Sequence, residues 1–248
     1  MPKFFVTRED IQGPLIVVRK DVHHIVNVLR KEVGDQLILC DGLGNDYTCQ
    51  IVDISPGEDQ LVAKIMDMNR SVSEPEVVIT LYQSLPKGDK MELILQKGVE
   101  LGISRFVPFY SERSLIHLDE KRGQQKVDRW QKITEAAATQ CARGLIPEVE
   151  PIHSYKQVLD EITEYDLAVL CYEHERAVSL KTLLTRQKQV PKKISIYIGP
   201  EGGFADKEVE DLIGAGASVC SLGPRILRTE TAGFTAASLI LYQYGQME

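Results

Sequence analysis

The chain has 248 residues, 43% of them hydrophobic and 26% charged, the balance of an ordinary folded protein, which excludes disorder, collagen and coiled coil as whole-chain descriptions. Its length suits two domains. With 29 Lys plus Arg against 36 Asp plus Glu, the formal charge is −7, so bulk charge cannot hold a nucleic acid and any such site has to be a local patch.

The longest apolar run, residues 167–172, is six residues, against the roughly 18 of a membrane helix. Arg8, Glu9 and Asp10 stand where a signal peptide is still apolar, so the expected location is the cytoplasm. Cys40, Cys49, Cys141, Cys171 and Cys220 are scattered, with no C-x-x-C pair, and form no zinc pattern with His23, His24, His117, His153 and His174. No metal site is expected.

From the N-terminus, apolar and polar residues alternate over 15–18, 36–40, 47–54 and 61–66, which predicts strands. Turn signals separate them at Asp41-Gly42-Leu43-Gly44-Asn45 and Ser55-Pro56-Gly57. One helix is predicted over 21–31, opened by an Asp cap and stopped near Gly34; His23 and His24 within it read as packing or surface groups. A small, mostly antiparallel β-barrel over residues 1–70 follows. The polar, aperiodic stretch 67–76 with Pro75 carries the boundary to a second domain, residues 71–248.

That domain reads as α/β: strands at 77–83, 105–109, 166–172, 193–198 and 218–222 alternate with helical patterns, predicting a parallel sheet covered on both faces. A helix over 89–101 puts Met91, Ile94, Leu95, Gly98 and Val99 on one stripe, where Gly98 permits close approach of a neighbour. Residues 121–126 read as a solvated polar loop, and Trp130 as core with Ile133 and Ala137. The last helix, 231–244, is apolar nearly all round, so burial on two sides is expected, with a dimer interface as one means.

Ligands of open parallel sheets collect beyond the carboxyl ends of the strands. Two segments there are unusual: Gly199-Pro200-Glu201-Gly202-Gly203-Phe204 and Gly223-Pro224-Arg225-Ile226-Leu227-Arg228-Thr229-Glu230-Thr231-Ala232. Glycine-rich backbone can approach a flat ligand and read an adenine edge; a tight turn capping the next helix explains such a cluster equally well. Neither segment fits G-x-G-x-x-G or a P-loop, and G-x-S-x-G is missing.

These two segments resemble the cofactor loops of the SPOUT superfamily of RNA methyltransferases, and more narrowly the RsmE family. Lys87-Gly88-Asp89-Lys90-Met91-Glu92, Gln96-Lys97-Gly98-Val99-Glu100-Leu101-Gly102, Ser111-Glu112-Arg113-Ser114 and His24-Ile25-Val26-Asn27-Val28-Leu29-Arg30 are similar to further landmarks of that family. The resemblance implies a PUA-like RNA-binding β-barrel followed by a parallel-sheet SPOUT domain tied in a deep trefoil knot, a feature otherwise almost absent from proteins. It implies transfer of a methyl group from S-adenosylmethionine to N3 of a uridine in 16S ribosomal RNA, with the assembled 30S subunit as expected substrate. A homodimer through the knot region is implied as well.

On that resemblance the adenosyl pocket falls to Gly199, Glu201, Gly202, Gly203, Leu222, Gly223, Ile226, Leu227 and Thr231, with Leu170 and Cys171 as a third wall. Uracil N3 is a poor nucleophile until its proton leaves, so a base or a stabiliser of the imide anion is needed. Arg228, Glu230 and Arg225 are the candidates. Glu230 also reads as a carboxylate complementing the dipole at a helix start, and Arg228 as its structural partner. Residues 1–70 hold eight Lys plus Arg against eleven Asp plus Glu; among the cations Arg8 and Arg30 are the expected phosphate contacts. Two rival functions stand beside this one: ribose 2'-O-methylation by the same loops, and a non-catalytic ribosome-assembly factor.

Overall fold

A computed structural model describes residues 2–55 and 59–247; Pro56 and Gly57 of the second predicted turn lie outside them. The chain divides into two compact units, Met1–Glu74 with Ala138–Ile146, and Pro75–Ala137 with Pro147–Glu248.

In the first unit β1 (Lys3–Phe5), β2 (Ile11–Gln12), β3 (Leu15–Val18), β4 (Gln36–Cys40), β5 (Asn45–Ser55) and β6 (Gln60–Arg70) form one sheet in the order β1-β4-β5-β6-β3-β2. Pairing is antiparallel except for β1, which runs parallel to β4. The period-two pattern sends Ile16 and Val18, Leu37 and Leu39, Cys49 and Ile51, Leu61 and Ala63 into one core. β1 and β2 are too short to show an alternation.

The helix predicted over 21–31 is a shorter π-helical turn, His24–Val28. Asp21 has φ 61°, whereas a capping residue is extended. The chain leaves the helix at Arg30, φ 53°, and not at Gly34, whose N–H is instead bonded to the Ile51 carbonyl at 2.8 Å. β6 continues through Arg70 into the stretch read as irregular. Segment 138–146 joins this unit through Glu74, whose carboxylate accepts from Arg143 Nη2 at 2.7 Å and from the N–H groups of Gly144 and Leu145 at 2.9 and 3.1 Å. Burial pushes the Glu74 carboxyl up, but the Arg143 hydrogen bonds and charge with the two backbone donors outweigh it and hold it below the usual carboxylate range.

In the second unit β7 (Val78–Ser84), β8 (Arg105–Phe109), β9 (Glu148–Val149), β10 (Leu167–Cys171), β11 (Lys193–Ile198) and β12 (Ser218–Cys220) form a wholly parallel sheet, ordered β12-β10-β11-β7-β8-β9. The helices are α1 (Lys90–Glu100), α2 (Glu120–Gln140), α3 (Tyr155–Glu161), α4 (Leu180–Thr185), α5 (Asp206–Ala215) and α6 (Thr229–Gln243). β7, β10 and β11 are near-continuous apolar runs because both faces are covered. A Cβ at Gly98 would lie 2.7 Å from the Phe106 ring, so α1 seats on β8 through the stripe the sequence displays.

Residues 121–126 are the first turns of α2 and not a loop. Their polarity conceals the period, which emerges only where Val127 and Trp130 bury. α6 begins at Thr229, two residues earlier than predicted, and packs on α1, α4, β7 and β11 while Leu239 and Tyr242 stay exposed. Among the described residues no helix is long and apolar enough to cross a membrane, and no three His, Cys, Asp or Glu side chains gather as metal ligands.

Candidate functional site

β12, β10 and β11 are neighbours in the sheet, so the segments that leave their carboxyl ends meet. They enclose a pocket of about 320 Å³, within the range of small-molecule sites. Cys171, Tyr172, Glu173 and Arg176 enter from β10, Ile198, Gly199, Pro200, Glu201 and Gly203 from β11, and residues 221–223 and 225–229 from β12. Lys90 of α1 and Ala232 of α6 complete the wall.

The loop after β11 is fixed on several sides. Gly203 has φ 68°, a conformation that penalises any side chain, and a Cβ there would run into the Glu173 carboxylate. The Gly203 N–H closes a turn onto the Pro200 carbonyl at 2.9 Å. Phe204 anchors the loop in the core, its ring stacked on Phe109. Arg113 donates to the Gly202 carbonyl at 2.9 Å.

Charge at the rim is paired. Glu201 Oε1 accepts from Lys90 Nζ at 2.7 Å and from the Lys87 N–H at 3.0 Å. Burial pushes the Glu201 carboxyl up, yet the Lys90 hydrogen bond, the backbone N–H groups of Glu201 itself and of Lys87, and the Lys90 charge outweigh it and hold the group below its ordinary range. The hydrogen bond to Glu201 raises Lys90 above its own range. Arg228 Nη1 stands 3.9 Å from Glu230 Oε1, with its side chain 83% exposed against 12% for Glu230. Hydrogen bonding with Cys220, together with burial, keeps the Cys171 thiol protonated well above the usual range, so it is a small apolar wall and not a nucleophile. Ile226 is 77% exposed, a large apolar side chain left uncovered beside backbone-rich loops, as a flat ligand requires.

Of the residues expected at the site, Cys171, Gly199, Glu201, Gly203, Leu222, Gly223, Arg225, Ile226, Leu227 and Arg228 line this one pocket. Leu170 is fully buried within the sheet, paired with Tyr197 and Val219. Gly202 is outside the lining, Thr231 lies in the first turn of α6 where Ala232 takes the wall position, and Glu230 is enclosed beside Lys90. Arg8 and Arg30 belong to the other unit, where both are exposed. Lys90, Glu173, Arg176 and Thr229 were not among the expected contacts. Glu173 and Arg176 obey the carboxyl-end rule that flagged the two glycine segments, since they follow β10; Lys90 meets Glu201 across 111 residues of sequence, a distance no local pattern bridges.

An RNA methyltransferase domain family matches residues 73–241, and an RNA methyltransferase PUA domain family matches residues 19–65. A ribosomal RNA small subunit methyltransferase E from Bacillus subtilis is 38% identical over 98% of this chain and 97% of its own length. The chain belongs to the ribosomal RNA small subunit methyltransferase E family. A methyltransferase E from Synechocystis is 33% identical over 93% of this chain and 73% of its own. The crystal structure of a methyltransferase E from Neisseria gonorrhoeae, bound to S-adenosyl methionine, superimposes with a TM-score of 0.79 at 31% identity, covering 98% of this chain and 97% of that one. The methyltransferase E resemblance therefore runs through both units, and the first is PUA-like.

Proposed function

We propose that this chain transfers a methyl group from S-adenosylmethionine to N3 of a uridine in 16S ribosomal RNA, on the assembled 30S subunit in the cytoplasm. The observation that carries the reading is the meeting of three strand ends around one pocket whose walls alternate exposed backbone, apolar side chains and paired charge. Residues 1–70 form the RNA-binding domain in this reading, and residues 71–248 the catalytic domain, its chain tied in a trefoil knot and its knot region joining two copies as a homodimer.

The pocket fits the donor. Gly199, Gly203 and Gly223 bring backbone to the wall for an adenine edge, with Gly202 beside them in the same loop, Leu222, Ile226 and Leu227 offer apolar faces, and Glu201 remains ionised to meet polar or cationic groups. Leu170, Cys171 and Thr231 support these walls. When bound, S-adenosylmethionine supplies a methyl group on a positively charged sulfur, which leaves as a neutral thioether. The protein has to aim that donor and prepare the nucleophile. Arg228 and Arg225 stabilise charge spreading onto the uracil oxygens as N3 loses its proton, and Glu230 accepts that proton. Arg8 and Arg30 hold phosphates and position the RNA without specifying its sequence.

The test is to incubate the protein with labelled S-adenosylmethionine and unmodified small ribosomal subunits, then digest the RNA to nucleosides. Label in 3-methyluridine is the expected result. Label on ribose would replace the reading with 2'-O-methylation, and RNA binding without label would leave a non-catalytic assembly factor.

A further inference from the structure

One ammonium group links three distant parts of the pocket rim. Lys90, the first residue of α1, donates to Glu201 Oε1 at 2.7 Å and lies 3.7 Å from Glu230 Oε2. Glu201 belongs to the loop after β11 and Glu230 to the first turn of α6. The Lys87 N–H, three residues before Lys90, also donates to Glu201 Oε1, at 3.0 Å. Glu230 Oε2 is enclosed and has no hydrogen-bond partner. A buried carboxylate oxygen left without a donor is costly, and the nearest positive charge to it is the ammonium that Glu201 already holds in place. Arg228, another cation near Glu230, stands 3.9 Å from the opposite oxygen on a largely exposed side chain.

The geometry points to Lys90 as the positioning residue that holds the Glu230 carboxylate by its enclosed oxygen, fixing the group beside the pocket to accept the proton of the target base. The inference rests on the methyl-transfer reading above. In the proton step the N3–H bond breaks and an O–H bond forms on the Glu230 carboxylate; the electron pair left on N3 then bonds the methyl carbon as its C–S bond breaks and the sulfur keeps that pair, leaving as a neutral thioether. Lys90 neither donates nor accepts in that step. Its fixed charge keeps the carboxylate from turning away or pairing fully with Arg228, and Glu201 serves as the clamp that fixes Lys90.

Lys90→Met, Lys90→Arg, Glu230→Gln and the double variant Lys90→Met with Glu230→Gln test this in single-turnover methyl transfer to small subunits, with donor affinity measured by calorimetry. Lys90→Met is expected to lower the transfer rate on the order of tenfold while donor Kd moves by no more than about threefold, and Lys90→Arg to restore most of the rate. In the Glu230→Gln background Lys90→Met should add no further loss, because the group it positions is gone. An undiminished rate in Lys90→Met, a donor affinity that falls in step with the rate, or full additivity in the double variant would each overturn the inference. If Lys90→Met does not fold, the rate of Lys90→Arg decides: one as low as that of Glu230→Gln contradicts a role carried by positive charge. A wild-type protein that transfers no methyl group fails the methyl-transfer reading itself, and this inference with it.

Discussion

The hydroxyl of Thr229 donates to the carbonyl of Gly199 at 2.7 Å, across thirty residues of sequence, and accepts from Gln83 Nε2 at 2.9 Å. The first residue of α6 is thus fastened to the loop after β11 and to the end of β7. Two of the three pocket segments share this joint, and the joint is buried.

Replacing Thr229 with Val keeps the shape and removes the hydroxyl, leaving the Gly199 carbonyl and a Gln83 N–H without partners. A loss of about 1–3 kcal/mol of stability is expected, read as a shift of the denaturant midpoint at unchanged slope. The affinity for S-adenosylmethionine should fall with it, because the loop is no longer held against α6.

Gly203→Ala addresses the loop from inside. The left-handed backbone at φ 68° costs an L residue about 1–2 kcal/mol, and the new methyl displaces the Glu173 carboxylate from its seat beside the pocket. Donor Kd measured by calorimetry should rise by about tenfold, with a stability loss no larger than the strain.

Much of this was legible in the sequence, and the reasons differ by element. Strands β3 to β6 and the central strands of the parallel sheet were readable because burial on one face or two imposes a period. The two glycine segments were readable because only backbone-rich turns tolerate Gly and Pro at that density. Leu170 and Cys171 were both expected at the pocket and only Cys171 lines it, since neighbouring residues of a strand point to opposite faces. Asp21 and Arg30 adopt left-handed conformations that propensity does not foresee. The Lys90–Glu201 and Thr229–Gly199 pairs depend on tertiary placement alone.

Glu74→Gln tests the ion pair that holds segment 138–146 in the first unit. Breaking a buried pair costs about 3–5 kcal/mol. The folded-state carboxyl lies below its ordinary value of 4.5, so its contribution is complete above about pH 4.5 and is lost as pH falls through the depressed value. Urea titrations at several pH values should therefore show the largest gap between wild type and variant near neutrality, narrowing below pH 4.5.

Arg228→Ala and Glu230→Gln separate chemistry from binding. If the roles assigned to them hold, each lowers the methyl-transfer rate by about 10²–10³ while donor affinity stays within a few-fold of wild type. Equal losses in rate and affinity would make these side chains donor-binding groups with no part in the chemistry.

Calorimetric titration of S-adenosylmethionine into the wild-type protein and into Ala232→Trp, whose indole would occupy the pocket from α6, bears most directly on the whole account. One donor site per chain in the wild type, abolished in a variant that still melts cooperatively, is the predicted result. No binding heat in the wild type, or an unchanged isotherm in the filled variant, would contradict it.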